Sequence, residues 1–246
     1  MPRTGGVMAI VLKPGEIAIW WMHVGSRSDG AIARWRACLD RTELLRADQF
    51  RFEEDRCNYM AAHWLVRTAL SSIGGIPPAE WRFSHTPGKP AIDPANGRFE
   101  LRFNLSRTKG LVACAVCVGS EIGIDVEALA PSHARLAVAE RFFSSSEVAV
   151  LRHTRQDQLA KMFLRFWTLK EAFVKATGRG LSRALDSFSF SLDPISISFD
   201  PASADEEKQW QFFERQPTPR HLLALAVRRR ATCPVTPTVY QMHAPA

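Results

Sequence analysis

The sequence has no apolar run long enough to cross a bilayer: its longest, Leu111 to Val118, falls far short of the roughly 20 residues a membrane helix needs. The early run Val7 to Leu12 is shorter than most secretory cores and is followed by Lys13-Pro14 rather than a small-residue cleavage site. Cysteine is sparse and odd in number, five residues at 38, 57, 114, 117 and 233, which excludes a disulfide framework and implies reduced thiols. These absences together read as a cytoplasmic protein. Cys114-Ala-Val-Cys117 has the spacing of a metal or redox pair, yet no second pair accompanies it. It also lies in a strand-like run, where residues three apart face opposite sides. Zinc-finger spacing, a Gly-Phe-rich RNA-binding signature and aromatic-basic interleaving are all missing. The net charge of +7 and pI near 9.5 therefore suit an acidic protein or a small ligand with several phosphates as well as nucleic acid.

What is present is enough for a sizeable core: 246 residues, 46% of them hydrophobic. Glu16 to Val24 reads as a strand, Ala31 to Ala47 as helical, and Glu53 to Ile73 as a longer helix ended by Gly74-Gly75, with His63 a packed histidine on its stripe. Trp81 to Ser84 is a short strand, and Thr86 to Pro90 a loop presenting Lys89. Arg98 to Asn104 alternates as a strand, the chain turns over Ser106 to Gly110, and Leu111 to Val118 is a buried strand. Gly119-Ser120 then reads as a hairpin turn into Glu121 to Glu127. Two short helices follow, Ala137 to Phe143 and Ser146 to His153, the second capped from a serine run. Beyond a long helix ending at Gly178, strands run over Ser187 to Leu192, Ile195 to Phe199, Trp210 to Phe213 and Leu222 to Arg228, with an acidic loop from Asp200 to Lys208. The stretch from Ala231 has little to pack.

An internal echo links Trp64-Leu-Val-Arg-Thr-Ala-Leu70 to Trp167-Thr-Leu-Lys-Glu-Ala-Phe173, each on a long helix ended by glycine. The fold class is α+β, as two similar halves over 1–120 and 121–230 with a poorly ordered tail over 231–246.

The long helix around Phe166 carries charge where a plain amphipathic helix would not. At about 100° per residue, Leu159, Met162, Phe163, Phe166, Leu169, Phe173 and Val174 sweep out one apolar arc. Lys170 falls inside it, while Glu171 and Lys175 lie one turn apart at its edge. On the strand before it, Asp125 and Glu127 share a face about 7 Å apart along the backbone. Solvation is the ordinary fate of such a face. Yet three carboxylates, Asp125, Glu127 and Glu171, without histidine or cysteine, are also the donor set of a hard cation such as Mg²⁺ or Mn²⁺.

Gly123-Ile-Asp-Val-Glu127, followed by Trp167-Thr-Leu-Lys-Glu-Ala-Phe-Val-Lys175 and Gly178-Arg-Gly180, resembles the phosphopantetheinyl transferases of the surfactin-synthetase type. Gly88-Lys-Pro90, Phe103-Asn-Leu-Ser106 and Arg141-Phe-Phe-Ser144 with Glu147 agree, so the resemblance runs from about Glu43 to Val227. It implies two α+β halves related by a pseudo-two-fold axis, with coenzyme A between them. It further implies transfer of the 4'-phosphopantetheine arm to a serine of an acyl or peptidyl carrier protein by a monomer, without a nucleic-acid or membrane partner. Carried over, Asp125, Glu127 and Glu171 bind Mg²⁺, and Lys175 and Lys89 meet coenzyme A phosphates. Ser106 and Arg107 sit beside the nucleotide, and Arg46 lies near the 3'-phosphate. Glu171 or a water takes the serine proton, with Lys175 assisting. Two positions depart from the pattern. Arg107 stands where the family usually has histidine, and Glu43 where some members carry a phosphate-binding lysine. Hydrolysis at the same site, or non-catalytic binding of coenzyme A or nucleic acid, are the alternative readings.

Overall fold

A computed structural model describes residues 10–25, 28–84, 90–97, 100–129, 135–178, 184–229 and 235–245. Four layers run through it. Helices α1 (Asp29–Cys38), α2 (Arg41–Asp48) and α3 (Glu53–Gly74) follow β1 (Ile17–His23), and the short β2 (Phe83–Ser84) and β3 (Ala91–Ile92) precede β4 (Leu101–Thr108) and β5 (Leu111–Val118). Then come β6 (Ile122–Ala128), α4 (Arg135–Phe142), α5 (Ser145–His153), α6 (Gln156–Thr177), β7 (Phe188–Leu192) and β8 (Ile195–Phe199). The chain closes through α7 (Ala204–Glu207), β9 (Trp210–Thr218), β10 (His221–Arg228) and β11 (Thr238–Met242). One sheet has the order β11-β1-β5-β4, the other β6-β10-β9, and β2-β3 and β7-β8 are separate ribbons. This is a mixed α+β fold.

The layering follows from the burial pattern of the strands. Along β5, Val112, Cys114 and Val116 face the core under α1 and α3, whereas Leu111, Ala113, Ala115 and Cys117 face the second sheet. A strand covered on both sides has no polar alternation, which is why this run reads as continuously apolar. Ile17 and Ile19 of β1 meet Ile122, Ile124 and Val126 of β6 and Leu223, Leu225 and Val227 of β10 in the same central layer. Cys114 and Cys117 thus lie in different cores. Among the described residues, cysteines 38, 57, 114 and 117 form no disulfide. No described helix is long and apolar enough to cross a membrane.

Helix α3 and helix α6 are each 22 residues long, and each ends at a glycine with positive φ, Gly75 at 69° and Gly178 at 67°, where a Cβ would be strained. Each is preceded by a short helix that opens with a capping box, Asp40 with Glu43 on α2 and Ser144 with Glu147 on α5. In both cases the glutamate pairs with a fully buried cation of the long helix. Arg67 Nη2 lies 2.8 Å from Glu43 Oε2, and Lys170 Nζ lies 2.8 Å from Glu147 Oε2. Burial pushes the Lys170 amine down while Glu147 opposes that shift. The two carbonyls it reaches, Leu185 and Phe188, at 2.7 Å each, complete its three donors.

Several expectations need correction. Ala31 to Ala47 is not one helix: Asp40, extended at φ −76° and ψ 173°, starts a new one by capping Glu43 N. Gly119-Ser120 does not close a hairpin. Both edges of β5 are taken by β1 and β4, so β6 leaves for the other sheet and pairs with β10. The strand read as ending at Asn104 continues through Ser106, Arg107 and Thr108. The stretch after Ala231, expected to lack packing, supplies β11, parallel to β1, with Tyr240 stacked on Trp20 at 5.2 Å. The acidic loop over Asp200 to Lys208 contains α7.

Candidate active site at the seam between the sheets

β4 and β6 lie side by side without forming a backbone ladder. Asn104 Oδ1 accepts from Ile124 N at 2.8 Å, Ser106 Oγ from Val126 N at 3.2 Å and Thr108 Oγ1 from Ala128 N at 3.3 Å. Three alternate side chains of one strand thereby satisfy three alternate N–H groups of the next, which would otherwise be buried and unpaired. The seam is polar for that reason, and it fixes the register of Ser106 against Asp125.

On its other face β6 carries Gly123, Asp125 and Glu127 toward α6. Helix α6 approaches so closely that a Cβ at residue 123 would overlap the backbone of Ala172 and Ala176. The helix therefore covers this face over Gly123 and Asp125, with Glu127 half-buried at its end, and α6 lowers Glu171 and Lys175 onto the carboxylates. Lys175 Nζ donates to Asp125 Oδ1 at 2.7 Å, Ser106 Oγ at 3.0 Å and Ile124 O at 3.3 Å. Ser106 Oγ itself donates to Asp125 Oδ1 at 2.9 Å.

Glu127 is held by Thr108 Oγ1 at 3.2 Å and by the Trp167 side chain. Trp167 heads the motif that carries the family resemblance, but neither it nor Thr108 has a site role in the sequence reading. Thr108 shares the strand face of Ser106, and Trp167 lies one helical turn before Glu171, so alternation on β4 and the helical period were the available signals. Burial first, and Asp125's charge second, push the carboxyls of Glu127 and Glu171 above the usual range. Each would be more comfortable with a positive charge beside it.

Asp125 is 4% exposed, and its Oδ2 is buried with no hydrogen-bond partner among the described residues. An orphaned carboxylate oxygen, flanked by two carboxyls whose proton affinity is raised, fits a hard divalent cation. Among the described residues no three acidic, histidine or cysteine side chains converge into a ready-made metal cage. The nearest positive charge is the Lys175 ammonium.

The basic residues divide into two groups. Arg107 follows Ser106 on β4 and so points to the opposite side, toward α2 and α3. Its guanidinium lies over the rings of Phe50 and Tyr59, 5.5 Å from each, and Arg46 lies 5.8 Å from the Phe50 ring. The structure thus joins Arg46 with Arg107 and, separately, Ser106 with Asp125 and Lys175. Lys89 lies outside the described residues. Glu43 is 2% exposed and serves the Arg67 pair and the α2 cap, so it does not stand in a phosphate pocket. A cavity of about 450 Å³ opens beside the seam, lined by Pro90, Ile92, Arg102, Phe103, Glu121 and Thr177.

A family model described as the 4'-phosphopantetheinyl transferase superfamily matches residues 121–226, which carry the Asp125 and Glu171 motifs. The 4'-phosphopantetheinyl transferase HetI of Nostoc sp. is 32% identical over 219 residues, 89% of this chain and 90% of the relative. The 4'-phosphopantetheinyl transferase Sfp of Bacillus subtilis is 35% identical over 145 residues, 58% of this chain and 62% of the relative. A human L-aminoadipate-semialdehyde dehydrogenase-phosphopantetheinyl transferase is 29% identical over 205 residues, 76% of this chain and 66% of the relative. Because the likeness to HetI spans nearly the whole of both chains, the chain belongs to the 4'-phosphopantetheinyl transferase superfamily and is an enzyme of that class.

Proposed function

We propose that the chain moves the 4'-phosphopantetheine arm of coenzyme A onto a serine hydroxyl of an acyl or peptidyl carrier protein, releasing 3',5'-ADP, and that the seam between β4, β6 and α6 is where this happens. The observation that carries the reading is the unpartnered Asp125 Oδ2 within a set of three carboxylates and one lysine. Asp125, Glu127 and Glu171 would hold Mg²⁺ or Mn²⁺, which when bound supplies charge neutralisation at the pyrophosphate.

The remaining chemistry falls to residues of the chain. Glu171, its carboxyl pushed up by burial and by Asp125, has the raised proton affinity that suits a general base toward the carrier serine. The serine oxygen forms a bond to the phosphorus bearing the pantetheine arm, the bridging P–O bond breaks, and the electron pair leaves with 3',5'-ADP. Lys175 then faces the charge gathering on the leaving phosphate. Ser106 sets the position of Lys175 and Asp125 together. Arg46, Lys89 and Arg107 meet the phosphates of coenzyme A, and the cavity beside Pro90 has room for part of that molecule.

The finer architecture belongs to the same reading: two halves related by a pseudo-two-fold axis. The matched α3 and α6 lengths, glycine caps, capping boxes and buried cation–glutamate pairs support it. A cytoplasmic monomer with an acidic carrier as partner is consistent with the +7 charge.

Mass spectrometry of candidate carrier proteins after incubation with coenzyme A and Mg²⁺ tests the proposal. A carrier that gains the phosphopantetheine mass supports it. Free phosphopantetheine without protein labelling would replace transfer by hydrolysis, and untouched coenzyme A with every carrier would remove catalysis from this site.

A further inference from the structure

Arg107 is held by aromatic faces. The Tyr59 ring, 9% exposed as a residue, lies 5.5 Å from the Arg107 guanidinium and also packs against the His63 ring, with centroids 4.2 Å apart and planes tilted by 38°. His63 Nδ1 lies 2.7 Å from Glu43 Oε1, and Glu43 is locked to the fully buried Arg67. Burial pushes the Glu43 carboxyl up, but the His63 hydrogen bond and the charges of His63 and Arg67 outweigh that and hold it low. Its negative charge, after burial itself, helps push the Tyr59 phenol up to about 12, so the ring stays neutral. A row of contacts therefore runs from the buried Arg67–Glu43 pair through His63 and Tyr59 to the guanidinium of Arg107. Phe50 closes the other flank, 5.3 Å from Tyr59, and also carries Arg46. Two guanidiniums that repel one another are thereby brought to the same ring.

We infer that Tyr59, backed by Phe50, is a positioning residue that holds Arg107 in place for a phosphate of coenzyme A. The inference rests on the reading of this cleft as a coenzyme A site. A guanidinium on a flexible stem loses rotamer freedom when it grips an anion, and a ring that is itself held by packing removes part of that loss in advance. Among the described residues no carboxylate lies within salt-bridge distance of Arg107, and Asp55 acts on it only through its charge, so aromatic faces rather than an ion pair hold the guanidinium.

Calorimetric titration of the full chain with 3',5'-ADP tests this. Tyr59→Leu and, at the half-buried flank, Phe50→Leu are each expected to weaken binding by about five- to tenfold, the scale of a cation–π contact. Tyr59→Phe keeps the ring and should bind like the wild type. In an Arg107→Ala background Tyr59→Leu and Phe50→Leu should cost less than about twofold further, because the contact they support is already gone. In carrier labelling, the coenzyme A KM of Tyr59→Leu should rise while kcat at saturation holds. Wild-type affinity in both leucine variants overturns the inference, and so does an equal loss with and without Arg107, which would make the rings merely structural. Failure of the wild type to bind 3',5'-ADP would instead overturn the coenzyme A reading itself, and this inference with it.

Discussion

Lys175 Nζ lies 2.7 Å from Asp125 Oδ1, and its other two protons go to Ser106 Oγ and Ile124 O. An ammonium has three protons to give, so Lys175 has none left for a phosphate while it sits there. It occupies one oxygen of the carboxylate whose other oxygen is orphaned. A divalent cation held as in the proposed function would therefore compete with the lysine for Asp125. Lys175→Met should tighten Mn²⁺ binding in the absence of coenzyme A by about fivefold, the scale of one partly exposed ion pair, and should weaken coenzyme A binding. Electron paramagnetic resonance of free Mn²⁺ reads the first effect and calorimetry the second. Weaker Mn²⁺ binding in Lys175→Met would show that the two do not compete.

The raised carboxyls of Glu127 and Glu171 predict a pH dependence with a definite sign. A carboxyl that holds its proton more tightly when folded contributes stability that is fully present below its unfolded value near 4.5 and is lost as pH rises through the higher folded value. Metal-free Glu171→Gln should therefore melt above the wild type at neutral pH and beyond, and the gap should close as pH falls toward the ordinary carboxylate range. Saturating Mg²⁺ should stabilise the wild type more than this variant. Parallel melting curves for the two proteins across that range, with and without Mg²⁺, would separate Glu171 from the cation site.

Gly123→Ala tests the close approach of α6 to β6. The added Cβ meets the backbone of Ala172 and Ala176, which cannot swing aside as a flexible side chain would. A loss of about 3 kcal/mol is expected from the urea midpoint, at the upper end of overpacking costs, together with weaker Mn²⁺ binding as Glu171 and Lys175 move off the carboxylates. A wild-type midpoint would mean that the helix does not rest on residue 123.

Arg67→Met should destabilise the chain by about 3 to 5 kcal/mol, because it leaves Glu43 buried without its cation. Adding Glu43→Gln removes the stranded charge while keeping an amide that can cap α2, so the double variant should be more stable than Arg67→Met alone. Chemical denaturation of the four proteins gives the coupling directly. A double variant that is less stable than Arg67→Met would shift the importance of Glu43 from its charge pair to its cap.

Local periodicity made much of this protein legible in its sequence. The 3.6-residue stripe and the glycine stops placed α3 and α6, the serine run marked the start of α5, and strand alternation put Asp125 and Glu127 on one face. Those rules concern neighbours in the chain, so they hold wherever the segment ends up. The partner of each face was decided only in three dimensions. Asp125 and Glu127 read equally well as a wet face until Gly123 let α6 settle on it. Glu43 stands where some members of the resembled family carry a phosphate-binding lysine, and only the packing of Arg67 and His63 against it makes it a buried ion-pair partner. The β5–β6 turn looked like a hairpin because strand edges carry no mark of which other edge they will meet, and here β4's side chains took the place of a backbone ladder. Arg46, Phe50, Tyr59 and Arg107 share no sequence pattern. They meet because α2 and α3 pack beside the end of β4, a contact set by burial of the helices' apolar faces and not by any residue in the cluster itself.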